Sequence, residues 1–124
     1  MAAKKILIAD DEPDVLSILE KKLKQNDYDV LALSKGKEII EKVKSFLPDL
    51  LILDIIMPDS DGYLVASALR EDKALKKLPI IFMTGKELDY SGITKRISAL
   101  GLCDFITKPC VFEDLLTKIK RITG

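Results

Sequence analysis

Short apolar runs alternate with amphipathic stretches along the whole chain. Lys5-Ile6-Leu7-Ile8-Ala9 is a compact apolar run that predicts a strand, and Asp10-Asp11-Glu12-Pro13 follows with the acids and early proline of a helix start. From Asp14 to Gln25, Val15, Leu19 and Leu23 recur at helical spacing with Leu16 and Ile18 beside them, while lysines take the other face. Asn26-Asp27 ends that helix. Tyr28 to Leu33 predicts a second strand, Ser34-Lys35-Gly36 a turn, and Glu38 to Phe46 a helix carrying Ile39, Ile40 and Val43. Pro48 breaks the pattern before Leu50-Leu51-Ile52-Leu53, which is apolar on both faces, as a central parallel strand must be. That strand ends at Asp54.

After a turn through Pro58 and Gly62, Tyr63 to Arg70 predicts a third helix with Leu64, Ala68 and Leu69 as its apolar side. Pro79-Ile80-Ile81-Phe82-Met83 predicts a fourth strand ending at Thr84-Gly85. Between Lys86 and Leu100, Ile93, Ile97 and Leu100 share one face of a helix that closes at Gly101, and Lys86 to Gly92 reads as either helix or loop. Phe105-Ile106-Thr107 is the last strand. Val111 to Ile122 is the final helix, with Val111, Leu115, Leu116, Ile119 and Ile122 as its core stripe. No internal repeat, low-complexity segment or linker interrupts the series, so residues 1–124 read as one domain. Strict alternation of strand and helix predicts an α/β, doubly wound fold, its parallel sheet covered by helices on both faces.

Composition narrows the possibilities. With 48% apolar residues in 124, the chain can bury a core without disulfides or structural metal. Lys plus Arg and Asp plus Glu balance at 20 each, which leaves no net field to draw the domain onto nucleic acid or an anionic membrane. No apolar run approaches the roughly 20 residues that span a bilayer, and Met1-Ala2-Ala3-Lys4-Lys5 leads straight into a strand rather than a signal-peptide core. A soluble, cytoplasmic protein is expected. Cys103 and Cys110 lack the number and spacing of a zinc site or disulfide framework and are expected to be buried reduced thiols, a contact between them remaining open. There is no histidine, so any phosphohistidine must belong to a partner.

In doubly wound folds ligands bind beyond the carboxyl ends of the strands. The residues there are Asp10 and Asp11 after the first strand, Asp54 after the third, Thr84 after the fourth and Lys108 after the fifth. Crowded carboxylates repel one another, and a hard divalent cation relieves that cost. Mg²⁺ suits such a set because it takes a few carboxylate oxygens, keeps waters and accepts a phosphoryl oxygen. A carboxylate can itself be the nucleophile and form an aspartyl-phosphate, with Lys108 supplying a cation and Thr84 a hydroxyl donor. Each residue also has a plainer role. Asp10 and Asp11 can cap the first helix, Asp54 can be a turn residue before Pro58, Lys108 a solvated lysine, Thr84 a strand-end hydroxyl and Phe105 a core aromatic. The combination of all five polar groups outweighs those readings.

Over essentially its whole length the chain resembles the receiver domain of two-component response regulators. The motifs that carry the resemblance are Ile8-Ala9-Asp10-Asp11-Glu12, Leu53-Asp54-Ile55-Ile56-Met57-Pro58 with Asp61-Gly62, Met83-Thr84-Gly85, and Asp104-Phe105-Ile106-Thr107-Lys108-Pro109. The resemblance implies a flavodoxin-like five-stranded sheet of order 2-1-3-4-5. It implies that Asp54 accepts the phosphoryl group, and that Asp11 and Asp54 bind Mg²⁺ directly with the Ile56 carbonyl while Asp10 helps through water. Thr84 and Lys108 would bind phosphoryl oxygens, Phe105 would be the switch aromatic, Ile56 and Lys86 would flank the site, and Lys108-Pro109 would be cis. The implied partners are a sensor histidine kinase or phosphotransfer protein upstream and an effector protein or domain downstream. The chain stops at Gly124 just past the last helix, so no effector domain is expected within it.

Three other functions compete. A pseudo-receiver would keep the fold and signal by contact alone, but such proteins usually lose an acid or the lysine. A haloacid-dehalogenase-type phosphatase would place its nucleophile in an Asp-x-Asp arrangement after the first strand, which Asp10-Asp11-Glu12 does not supply. A flavodoxin-like flavin carrier would need a Ser/Thr/Gly-rich phosphate loop there. The expectation is therefore a phosphoacceptor that catalyses only its own phosphorylation and dephosphorylation.

Overall fold

The computed structural model describes residues 3–85, 90–101 and 103–124, leaving out the side chains of residues 90, 91, 93 and 103. Five strands form one sheet: β1 (Lys5–Ala9), β2 (Asp29–Leu33), β3 (Leu50–Asp54), β4 (Ile80–Thr84) and β5 (Cys103–Thr107). All neighbours are parallel and the order is β2-β1-β3-β4-β5, the predicted topology. Every residue of β3 and β4 is buried, as expected of strands covered on both faces.

The period-two alternation of the strands sorts the core into two layers. Leu7, Leu51, Leu53, Ile80 and Phe82 face α2 (Ile39–Phe46), α3 (Gly62–Glu71) and α4 (Tyr90–Leu100). Ile6, Ile8, Ile52, Ile81 and Met83 face α1 (Pro13–Gln25) and α5 (Phe112–Thr123). Pro13 opens α1 at a position where no intrahelical N–H is lost.

Several expectations need correction. The turn after Asp54 contains a small antiparallel hairpin, Ile56–Met57 against Ser60–Asp61, and the turn at Ser34-Lys35-Gly36 runs on into a single 3₁₀ turn, Gly36–Glu38. The apolar side of α3 is Gly62, Val65, Ala66 and Leu69, while Leu64 is 70% exposed and Ala68 is also exposed. Gly62 sets that rotation: its N–H donates to the Ile55 carbonyl at 2.7 Å, and an added Cβ would lie 2.8 Å from both Asp54 O and Ile55 Cα. Val111 is the N-cap of α5 and is exposed; Phe112 next to it packs half-buried against the core, and the buried positions of the helix are Leu115 and Ile119. The last strand begins at Cys103, because β5 pairs with the full length of β4. Between Lys86 and Gly92 the helix starts at Tyr90, and residues 86–89 lie outside the described residues.

Candidate functional site

Each strand end delivers one group to the same edge. β1 runs into Asp10, whose backbone N–H donates to the Leu33 carbonyl at 3.1 Å and whose Oδ1 accepts the Glu12 N–H at 2.9 Å. β3 ends in Asp54, which is paired in register with Met83 of β4 and accepts the Ile56 N–H at Oδ1, 3.3 Å away. After β5, the Lys108 N–H donates to the Thr84 carbonyl at 2.7 Å, so the lysine and the threonine are held together through the backbone. The Lys108-Pro109 peptide is cis, as the resemblance implied.

Lys108 Nζ gathers the acids. It lies 2.8 Å from Asp10 Oδ2, 2.9 Å from Asp54 Oδ2 and 3.0 Å from Glu12 Oε1. The Asp10 contact is an ion pair without hydrogen-bond alignment, and Asp10 Oδ2 and Thr84 Oγ1 are buried atoms with no hydrogen-bond partner among the described residues. Burial of a carboxylate beside a second acid is unfavourable. It pushes the Asp54 carboxyl up from 3.8 to about 6; the hydrogen bond and charge of Lys108 oppose the rise, and Asp10 adds to it. Burial also disfavours the Lys108 ammonium, but the acids around it, Asp10 in ion-pair contact and Asp54 and Glu12 hydrogen-bonded, outweigh that and hold its pKa above the ordinary lysine value.

Carboxylate oxygens of Asp10, Glu12 and Asp54 lie within 4.8 Å of one another, a hard-oxygen cluster of the kind that can hold a metal ion. The resemblance implies Asp11 as a ligand beside Asp10 and Asp54; the cluster in the structure holds Glu12 beside those two. Asp10 and Glu12 come together because the chain turns at the start of α1, where the Glu12 N–H folds back onto Asp10. Glu12 stands in the same acidic run, but a strand-end count stops one residue short of it. Phe105 is half-buried against the core layer of α2, α3 and α4, opposite Phe82 in the β4–β5 register. Ile56 is 59% exposed beside Asp54, whereas Lys86, the other expected flanking residue, lies outside the described residues. Cys110 is a half-buried free thiol, its pKa raised by burial; the side chain of Cys103 is not described. Beside Lys108 opens a groove of about 550 Å³ walled by Val15, Ile18, Leu19, Met83 and Cys110.

The chain is similar in sequence and fold to known proteins. The chain is 34% identical over 119 residues to the alkaline phosphatase synthesis transcriptional regulatory protein PhoP of Bacillus subtilis (strain 168), an alignment covering 96% of the chain and 48% of that relative. It thus spans about half the length of the curated relative it matches. Among solved structures it is similar to the signal receiver domain of a signal transduction histidine kinase from Syntrophus aciditrophicus, with a TM-score of 0.85 and 32% identity over 98% of this chain and 90% of that one. The chemotaxis protein CheY4 of Vibrio cholerae superposes with a TM-score of 0.88 at 26% identity, covering 98% of this chain and 99% of that one. The response regulator receiver domain family matches residues 6–120, a span that contains all five strands but for Lys5 at the start of β1, and every strand-end group gathered around Lys108. The chain therefore belongs to the response regulator receiver domain family of two-component signalling.

Proposed function

We propose that Asp54 accepts a phosphoryl group from a phosphohistidine on a sensor histidine kinase or phosphotransfer protein. The observation that carries this is the contact of Lys108 Nζ with both Asp54 Oδ2, at 2.9 Å, and Asp10 Oδ2, at 2.8 Å, at the carboxyl edge of the sheet. In the transfer, an Asp54 carboxylate oxygen forms a bond to phosphorus while the phosphorus–nitrogen bond breaks, its electron pair remaining on the partner's imidazole. Lys108 holds Asp54 in position and then neutralises a phosphoryl oxygen. Thr84 brings a buried hydroxyl that lacks a partner among the described residues, a donor ready for another of those oxygens. The hard-oxygen cluster of Asp10, Glu12 and Asp54 fits Mg²⁺; Asp10 and Asp54, with Asp11 and the Ile56 carbonyl that the resemblance implies, would hold it, and when bound it neutralises charge on the transferred group.

Once the acyl phosphate exists, Thr84 is drawn toward it and Phe105 turns inward, altering the surface of α4, β5 and α5 that an effector protein or domain reads. The domain acts in the cytoplasm, through protein partners rather than nucleic acid or membrane, and catalyses only its own phosphorylation and dephosphorylation. In keeping with this, no helix among the described residues is long and apolar enough to cross a membrane. A pseudo-receiver is disfavoured because Asp10, Asp11, Asp54, Thr84 and Lys108 are all retained.

The test is incubation with Mg²⁺ and a small acyl-phosphate donor, followed by intact mass. Wild-type protein should gain a single phosphoryl group, and Asp54→Asn none. Normal labelling of Asp54→Asn, or undiminished wild-type labelling in excess EDTA, would overturn the proposal.

A further inference from the structure

The segment that carries Asp54 and Ile56 toward the site is held at a distance from the chemistry, by the 3₁₀ turn at Gly36–Glu38. Asp59 Oδ1 accepts the Gly36 N–H at 2.9 Å, and Asp59 Oδ2 lies 3.3 Å from the Lys37 N–H donor. A carboxylate thus caps two backbone donors belonging to another loop 22 or 23 residues away in sequence. Gly36 is buried, and the fit is close enough that a Cβ built there would collide with Ser60 Cβ and lie 2.8 Å from Ser60 Oγ.

From this latch we infer that Asp59 is a positioning residue for phosphorylation, acting through the hairpin on Ile56 and Asp54. The inference rests on the Asp54 reading above. The route is continuous. Pro58 and Asp59 turn the hairpin; Ser60 pairs with Met57, which is buried in the core, and Asp61 pairs with Ile56. The Ile56 N–H donates to Asp54 Oδ1, and the Ile56 carbonyl is the backbone oxygen proposed for Mg²⁺. At the far end, Gly62 closes the loop against Asp54 and Ile55. The loop is therefore clamped at both ends, and Asp59 is the polar half of one clamp. The hydrogen bonds from Gly36 and then Lys37 hold the Asp59 carboxyl below its ordinary value, as ionised capping requires.

The experiment follows backbone amide resonances of Ile56 and Gly36 by NMR during a Mg²⁺ titration of the full chain, with phosphorylation by a small acyl phosphate measured in parallel. Outer partners of a metal site commonly change metal affinity by 10- to 100-fold, and for an exposed carboxylate the low end, about tenfold, is expected. Asp59→Ala should raise the half-saturating Mg²⁺ concentration by that factor and release the Gly36 amide to exchange. Asp59→Asn, whose carbonyl oxygen can still accept from Gly36, should recover most of the loss. Gly36→Ala should reproduce the defect, and Gly36→Ala combined with Ser60→Gly should relieve it, which separates positioning from simple damage to the fold. If wild-type Ile56 does not respond to Mg²⁺, the Asp54 reading fails and the positioning role fails with it. If wild type responds and Asp59→Ala titrates identically and is phosphorylated at the same rate, the positioning role alone is overturned.

Discussion

Replacing Asp54 with asparagine should stabilise the fold, and by an amount that depends on pH. Asparagine has the shape of a protonated aspartate and never ionises. In the folded protein the Asp54 carboxyl is pushed from 3.8 to about 6, chiefly by burial and against the pull of Lys108. At ~1.4 kcal/mol for each tenfold change in proton affinity, ionising Asp54 costs the folded state about 3 kcal/mol relative to the unfolded chain at pH 7. The side chain is only 9% exposed, so solvent screening removes little of this. The sign follows from the raised pKa. Below about pH 4 the carboxyl is largely protonated in both states and the penalty is nearly absent; it grows as pH rises through the interval to about 6 and is full above it. Asp54→Asn should therefore gain about 3 kcal/mol at pH 7, about half that at pH 5, and little at pH 4. With a urea m-value of about 2 kcal/mol/M, the gain is a midpoint shift of about 1.5 M at neutral pH. Urea unfolding followed by far-UV circular dichroism in EDTA measures it. Adding Mg²⁺ should narrow the gap, because a ligand of the folded wild type stabilises it by mass action. Equal midpoints at pH 7, or a gain as large at pH 4 as at pH 7, would refute the burial argument.

Three further outcomes are expected. Thr84→Val deletes a buried hydroxyl without a partner among the described residues, so stability should hold or rise by about 1 kcal/mol while phosphorylation slows at least about tenfold; an unchanged labelling rate would contradict the donor role. Gly62→Ala places a methyl 2.8 Å from Asp54 O and Ile55 Cα, backbone that cannot easily yield, and should lower stability by about 1–3 kcal/mol in the same urea assay. Ile56→Asn changes an exposed side chain and should move stability by no more than about 0.5 kcal/mol. Because apolar Ile56 hinders the attacking water, the aspartyl-phosphate should decay faster in the variant, and equal lifetimes would remove that idea.

Much of this molecule was legible from short-range pattern. The run Leu50 to Leu53, apolar on both faces, could only be a strand covered on both sides, and Asp54 at its end had to lie where doubly wound sheets bind ligands. Asp10, Thr84 and Lys108 were found the same way, because strand ends are set by local hydrophobic periodicity. Contacts between loops were not legible. The latch of Asp59 on Gly36 joins residues 23 apart whose types suit any turn, and no periodicity links them. Glu12 joined the acidic cluster only because the first turn of α1 brings it beside Lys108, 96 residues away. The rotation of α3 likewise escaped the pattern. Leu64, the more hydrophobic choice, faces outward because Gly62 must pack against the backbone of Asp54 and Ile55, and that contact turns Val65, Ala66 and Leu69 to the core. The sequence by itself thus determined the strands, their faces and the strand-end groups, all properties of neighbouring residues. Only the tertiary structure decided which loops touch, which carboxylates share Lys108 and how far Asp54 is desolvated, because each depends on the distance between segments that the chain brings together only when it folds.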